Sequence, residues 1–378
     1  MSLTNFAKLT NEELTIWSKD IWKEARNWMF LEKFTGSGPG AMVQKITELT
    51  KSEKGARAVL TLVSDLEGDG TAGDRTLEGN EEAMKSFDQV IQLDQLRHAN
   101  RHEGRMADQK SVVTFRENSL DVLAYWLADR MDQLAFLTLS GVAYSQTNKG
   151  AVRVGSDLPF LEYAADVTAP SARRACRWDS VTGLMTADTG DNLNTSANFT
   201  VGDTPTYDML LDAKAYAVDN YIRPIRGEAG TEMYNVFMDP ISIANLKKDT
   251  KFNQAWRDAL PRSASNPLFK GTNVIYVDGL AIYEYRHVYN TKNAPAAGAW
   301  GTGGLVDGSR VLMCGAQAMG YADIGDPYWE EKGFDYENQQ GISVGKICGL
   351  KKPVYNSIYS GTAEDFGVLT IDVALKPA

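Results

Sequence analysis

The chain has 378 residues, 43% of them hydrophobic, enough for a sizeable core in one large or two ordinary domains; this excludes a disordered protein. Its 49 acidic and 39 basic residues leave a formal charge of −10, which excludes broad electrostatic adhesion to nucleic acid or to an anionic membrane. Cys176, Cys314 and Cys348 are far apart and form no CxxC, so neither a disulfide framework nor a zinc knuckle is expected.

The N-terminus lacks the basic start and apolar block of a signal peptide, and no run approaches the roughly 18 apolar residues of a membrane span. Synthesis in a reducing cytoplasm is therefore expected. Thr10 and Glu13 form a capping-box pattern, and Leu14, Trp17, Ile21, Ala25 and Trp28 recur at helical spacing, which predicts a helix of about five turns to near Phe34. The run "GSGPG" at 36–40 ends it and lets the chain turn away as a flexible arm.

Two stretches follow, "ARAVLTLVSDL" (56–66) and "SFDQVIQLDQL" (86–96), β-branched, apolar and partly alternating. They read as the two sides of one long hairpin. From Asp65 to Glu82 there are seven acidic residues against the single Arg75, with four glycines among them. Arms of about eleven residues reach on the order of 35 Å. A ribbon of that length, tipped with glycine and charge, cannot bury both faces on its own domain, so it is expected to lie on something else.

Thr114 and Glu117 make a second capping box and open the clearest helix, which ends at Gly141 and is about 40 Å long. Leu120, Leu123, Leu127, Met131, Leu134 and Leu137 form one stripe, with Glu117, Asp121, Asp129 and Asp132 expected opposite. Residues 142–206 show little periodicity and read as irregular connections or a small insertion. A new compact unit begins with a helix at 207–225, then strand "MYNVFM", an N-cap at Asp239 before Pro240, and a short helix near Phe252 to Leu260. Asp278 and Gly279 join two strands as a hairpin turn, 290–309 is a surface loop, and the last stretches read as strands. The order is that of an α+β fold rather than regular βαβ alternation.

Candidate chemistry is thin. "RVLMCGAQAMGYA" (310–322) has the strand and glycine spacing of a phosphate-binding loop, but Tyr321 and Ala322 stand where lysine and a hydroxyl residue belong. Gln317 likewise occupies the place of the second glycine of a dinucleotide fingerprint. A tight strand-to-helix turn with small residues for close packing is the better reading. "DLEGDG" imitates the start of a calcium loop, but Thr76 replaces the closing glutamate, so a solvated tip is expected. His98 and His102 would share a face on a helix, yet HANRHE is not HExxH, and only His287 remains as a third histidine. The acidic run Asp323, Asp326, Glu330, Glu331, Asp335 and Glu337 reads as a solvated face. Arg173, Arg174 and Arg177 beside Trp178 read as a meeting place for a carboxylate-rich neighbour. No catalytic, cofactor-binding or metal-ligating residue is assigned, and no enzyme activity is expected.

Three segments carry a resemblance: 104–141, the stretch from "MYNVFMDP" to "YEYRHV", and "VLMCGAQAMG". Asp239 with Pro240, the Asn266 to Gly271 turn and the Gly315 to Ala318 turn occur in the order found in tailed-phage major capsid proteins of the coliphage N-four-like type, which the chain resembles over roughly 95–350. The resemblance implies the Hong Kong 97 capsid fold. Its parts would be an N-terminal arm (1–53), an extended E-loop hairpin (54–110), a peripheral domain with the spine helix (111–206), an axial domain (207–325) and strands returning to the periphery (326–378).

It implies self-assembly as pentamers and hexamers into an icosahedral shell around double-stranded DNA, without specific DNA recognition and without a membrane. Assembly in the host bacterial cytoplasm and residence in the virion follow. A chain that begins at the arm lacks the scaffold segment some relatives cleave, so a separate scaffolding protein is expected, with a portal and a decoration protein as further partners. The expected assembly contacts set the acidic tip, Glu67, Asp69, Asp74 and Arg75, against arginines such as Arg173 and Arg174. The rival readings are a decoration or tail component and a soluble α/β enzyme with a glycine-rich loop.

Overall fold

The computed structural model describes residues 25, 29–47, 55, 57–63, 66, 68–84, 86–110, 115–187, 199–226, 231–259, 274–295, 298–357 and 360–376. The helix expected from Thr10, the caps at Thr10 and Thr114, and the Asn266 to Gly271 turn lie outside them, apart from helical Ala25, whose carbonyl accepts from the Met29 amide at 2.9 Å, and a 3-10 turn at Leu31–Phe34.

The chain begins with β1 (Thr35–Gly36), β2 (Val43–Ile46), β3 (Arg57–Val63), β4 (Ser86–Gln92) and β5 (Asp94–Arg101), then α1 (Arg105–Lys110) and α2 (Phe115–Ser140). Next come β6 (Ala175–Asp179), β7 (Leu184–Ala187), α3 (Tyr207–Asp219), β8 (Ile225–Arg226), β9 (Glu232–Met238), α4 (Pro240–Lys248) and α5 (Thr250–Ala259). It closes with β10 (Val274–Val277), β11 (Leu280–Glu284), β12 (Gly308–Cys314), β13 (Met319–Asp323), β14 (Tyr328–Phe334), β15 (Gln339–Lys351), β16 (Val354–Asn356), β17 (Ala363–Asp365) and β18 (Val368–Ala374).

Two large sheets organise these elements. The first runs β1–β2–β13–β15–β14, with β5 along the other side of β15. The second runs β10–β11–β9–β12–β18–β6–β7, with β8 beside β9. β12 and β13 belong to different sheets, so the crossing falls at Gly315. The terminal strand β18 joins the second sheet, antiparallel to β12 and parallel to β6, while β14 and β15 stay in the first. The supposedly irregular stretch 142–206 supplies β6 and β7 to the second sheet. Its short strands are interrupted by turns, which hides their period.

α2 binds the two sheets together. Leu123, Leu127, Met131, Leu134 and Leu137 are buried as the stripe requires, in a core shared with Phe237 and Leu312 of one sheet and Ile342 and Val344 of the other. The N-terminal half is one-sided, with Val122 and Tyr125 exposed. The C-terminal half is buried nearly all round from Met131 to Ser140. Gly141 ends it with φ +66°, the Val142 amide reaching back to the Leu137 carbonyl at 3.0 Å. A Cβ on Gly141 would lie 2.5 Å from the Thr168 carbonyl oxygen, so only glycine fits.

Asp132 breaks the expected pattern, being buried rather than on a polar side. Its carboxylate accepts hydrogen bonds from the amides of Phe30 (2.8 Å) and Leu31 (3.2 Å) and from the Tyr285 hydroxyl (2.5 Å). Burial pushes its pKa up to about 6, against those hydrogen bonds. Around this pin, Phe30 stacks on Tyr285 at 4.1 Å and Phe34 meets Phe237 edge-on at 5.1 Å.

The second sheet carries α3, α4 and α5 over a separate core of Met209, Leu210, Ala213, Ile243, Leu246 and Phe252. Two sequence signals take the expected form there. The Asp239 side chain accepts from the Ile241 amide with Pro240 in the first turn, and Asp278 and Gly279 (φ +45° and +77°) make the turn between β10 and β11. α3 ends at Asp219, earlier than expected, because Tyr221 takes φ +57° ahead of Pro224.

Candidate assembly surfaces

The glycine loop at 315–320 leads from β12 to β13, so it is a strand-to-strand turn and not the expected strand-to-helix turn. Its amides are consumed inside the chain: Gly315 by the Gly367 carbonyl (2.8 Å), Ala316 by Arg223 (2.9 Å) and Gln317 by Ala41 (2.8 Å). A Cβ on Gly315 would sit 2.1 Å from the Arg223 carbonyl oxygen. The small residues serve close packing, and the amides that would cradle a phosphate are taken.

The histidines also have structural partners. His98 lies on β5, not on a helix, and stacks on Trp126 at 4.5 Å. His102 Nε2 accepts from the Gln340 amide at 3.0 Å. His287 Nε2 lies 2.7 Å from the Asp129 carboxylate, and burial lowers its pKa in spite of that partner. Among the described residues no three metal-ligating side chains gather.

The strands β3 and β4 form the expected hairpin, in register from Arg57↔Gln92 to Val63↔Ser86. Among the described residues its arms pair over seven residues each, which gives about 23 Å. The ribbon then bends, and β5 enters the first sheet by pairing with β15. One hairpin face, Ala58, Leu60, Leu62 and Ile91, is buried against Ile46, Ala322 and Phe366 of its own chain. The other presents the facing pair Val59 and Val90 together with Val63, 44%, 36% and 45% exposed. Alternation with period two produces this split: one face makes the fold, the other is left for a neighbour.

Beyond the hairpin, nearly all of 68–84 is exposed, including Asp69, Asp74 and Arg75, and including Leu77 and Met84 at 60% and 73%. Glu67 lies outside the described residues.

The arginine cluster is split by the structure. Arg174 is wholly buried, its guanidinium on the Glu364 carboxylate at 2.9 Å and on the Asp365 carbonyl at 3.1 Å. This corrects its expected role as an assembly contact: it is spent on its own chain. Arg173 stays half exposed, 3.5 Å from Glu364 and 3.0 Å from the Asn220 side chain.

Beside them Lys352 and Asp365 form a second buried pair at 2.8 Å; burial pushes the lysine down and the aspartate up, each against the other's attraction. Asp323, expected on a solvated face, is buried between Lys346 (2.7 Å) and Lys45 (2.8 Å). Burial raises its pKa, but the two lysines outweigh that and hold it below the usual carboxylate range. Composition counts these charges and cannot tell buried ones from free ones.

A two-sheet fold with a long helix bridging the cores, a side hairpin and no gathered catalytic groups in the described residues matches solved phage shells. The capsid of Ralstonia phage GP4 superposes with a TM-score of 0.74 at 25% identity, covering 92% of each chain. The Cyanophage Pam1 capsid gives 0.70 at 18% identity over 100% of this chain and 97% of that one. The fold is the Hong Kong 97-like phage capsid fold. A family described as phage capsid protein matches residues 5–376, and the major capsid protein of Pseudomonas phage KPP25 is 54% identical over 372 residues, 98% of this chain and 97% of that protein. The chain belongs to the phage capsid protein family, a structural family and not an enzyme class.

Proposed function

We propose that this chain is the major capsid protein of a tailed phage, building the icosahedral shell of the virion. The observation that carries this is the 54% identity, sustained over 98% of the chain, to a protein described as a major capsid protein. The half-buried hairpin supports it physically. A ribbon with one apolar face on its own chain and one exposed couples subunit folding to association.

In this reading 1–53 is the N-terminal arm, the β3–β4 hairpin and its tip are the E-loop, α2 is the spine helix, and the unit around α3, α4 and α5 is the axial domain. The order of the Asp239–Pro240, Asn266–Gly271 and Gly315–Ala318 motifs supports the narrower relation to coliphage N-four-like capsids. The subunits form pentamers and hexamers in the cytoplasm of the host bacterium, with a scaffolding protein, a portal and a decoration protein as partners. They enclose double-stranded DNA without reading its sequence, and the charge of −10 weakens adhesion of that DNA to the wall.

Negative-stain microscopy of the purified protein, with size exclusion at two salt concentrations, tests the proposal. Closed shells with capsomers of five and six subunits are expected, on their own or with the scaffolding protein. A discrete small oligomer would favour a soluble enzyme, and rings, tubes or trimers would favour a tail or decoration component.

A further inference from the structure

The outer face of the β5–β15–β14 strand triplet is a trough. Register places Arg101, Gly341 and Lys332 in one row across it, then Ala99, Ser343 and Glu330, then Arg97, Gly345 and Tyr328. The opposite face of the same strands, with Leu96, Ile342, Val344 and Trp329, is buried in the core shared with α2. In these rows the middle strand contributes Gly341, Ser343 and Gly345, with Phe334 packed over Gly341 and Arg97 over Gly345, and the flanking strands lie two strand spacings or roughly 10 Å apart.

Two connected clefts of about 390 and 610 Å³ follow this floor and share Ala99, Glu330 and Ser343. Phe334 lies at one end between the Arg101 guanidinium (4.9 Å) and the Lys332 ammonium (5.2 Å). Arg97, Arg101 and Lys332 line the clefts together with Glu330 and Glu331, the latter held by Arg116 at 3.0 Å, and no carboxylate of the described residues pairs with any of the three.

We propose that this trough receives the acidic hairpin tip of a second copy of the chain. This rests on the reading of the protein as a shell subunit whose hairpin crosses a neighbour, and it moves the tip's receptor from Arg173 and Arg174 to Arg97, Arg101 and Lys332. Three observations carry it. The tip has seven carboxylates and one arginine between Asp65 and Glu82, opposite in sign to the trough. It has glycine at 68, 70, 73 and 79, which keeps it narrow enough to enter the clefts. All its described residues but Thr71 are exposed, so it does not occupy the trough of its own chain. Its exposed Leu77 and Met84 supply apolar contact beside Phe334 and Tyr328.

Two variants with every charge in place test this: Ala72→Cys in the tip and Ala99→Cys in the trough, both at exposed positions, in a chain whose own three cysteines are all buried. Co-assembled into shells and treated with a short bis-maleimide, the mixture is expected to yield cross-linked dimers that neither variant gives alone. Adding Arg97→Glu and Arg101→Glu to the trough partner should abolish the dimers, and adding Asp69→Lys and Asp74→Lys to the tip partner should restore them. Where the reversed subunits fail to assemble, Arg97→Gln with Arg101→Gln serves instead, with loss of dimers still expected.

Closed shells without dimers, or a link within one chain of the double-cysteine variant, would overturn the proposal. Pairing of Ala72→Cys with Arg173→Cys in place of Ala99→Cys would overturn it while sparing the hairpin crossing. Normal shells from a chain lacking 67–82 would remove the crossing itself.

Discussion

The corner around Arg174 and the tip of the β3–β4 hairpin are both rich in charge, and they use it in opposite ways. At the corner Arg174, Glu364, Lys352 and Asp365 are buried and matched within one chain. At the tip Asp69 and Asp74 are exposed and have no cation of comparable number beside them. Charge that finds its partner in the same chain is part of the fold, and removing one member leaves an uncompensated ion in a low dielectric. Charge left outside is available to another copy.

The sharpest way to break this contrast is mutation at the corner. Arg174→Ala should cost about 3–5 kcal/mol of subunit stability, because Glu364 is left buried. Arg173→Ala, whose side chain is 49% exposed, should cost no more than about 1 kcal/mol. Urea unfolding of dissociated subunits measures both, and equal losses would erase the distinction between the two arginines.

Asp132 sharpens the contrast through pH. Its folded pKa of about 6 lies above the unfolded value, so the folded state binds the extra proton. Its contribution is therefore fully present below about pH 4 and is lost as pH rises through about 6, a change on the order of 3 kcal/mol. Asp132→Asn should remove that component of the slope, seen as the difference between the two proteins' stabilities at pH 4.5 and 7. An unchanged slope would mean that the three hydrogen bonds hold the group ionised throughout.

Gly141→Ala should cost at least about 1–2 kcal/mol from the left-handed backbone alone, and more from the contact with Thr168, measured by thermal unfolding. At the small end, Asp69→Asn with Asp74→Asn should leave dissociated subunits within about 0.5 kcal/mol of the parent. The same change should reduce shell yield in sedimentation.

How much of this was legible in the sequence follows the same division. Local chemistry read well. The α2 stripe and its glycine stop, the Asp239–Pro240 helix start, the Asp278–Gly279 turn and the paired β3 and β4 all depend on neighbours in the chain. Long-range pairing did not. Asp132 has the spacing of a polar-side residue, and only the distant Phe30 and Leu31 amides and Tyr285 make its burial tolerable. Arg174 and Glu364 are 190 residues apart, so proximity to Arg173 and Arg177 suggested a surface cluster that the fold does not keep. The turn at 315–318 was read as leading into a helix because small residues permit either outcome, and pairing of β13 with β2 and β15 decided it. The trough was invisible for the same reason. Its floor is alternate residues of β15, and its walls come from strands that precede β15 by more than 200 residues in one case and by only a turn in the other.

The most direct test of the central claim, that the exposed tip exists for assembly and not for folding, is microscopy of a variant lacking residues 67–82 beside the parent protein. Subunits with the parent's circular dichroism and unfolding midpoint, but without closed shells, are the expected result. Closed shells of normal size and yield from the deletion variant would contradict the account.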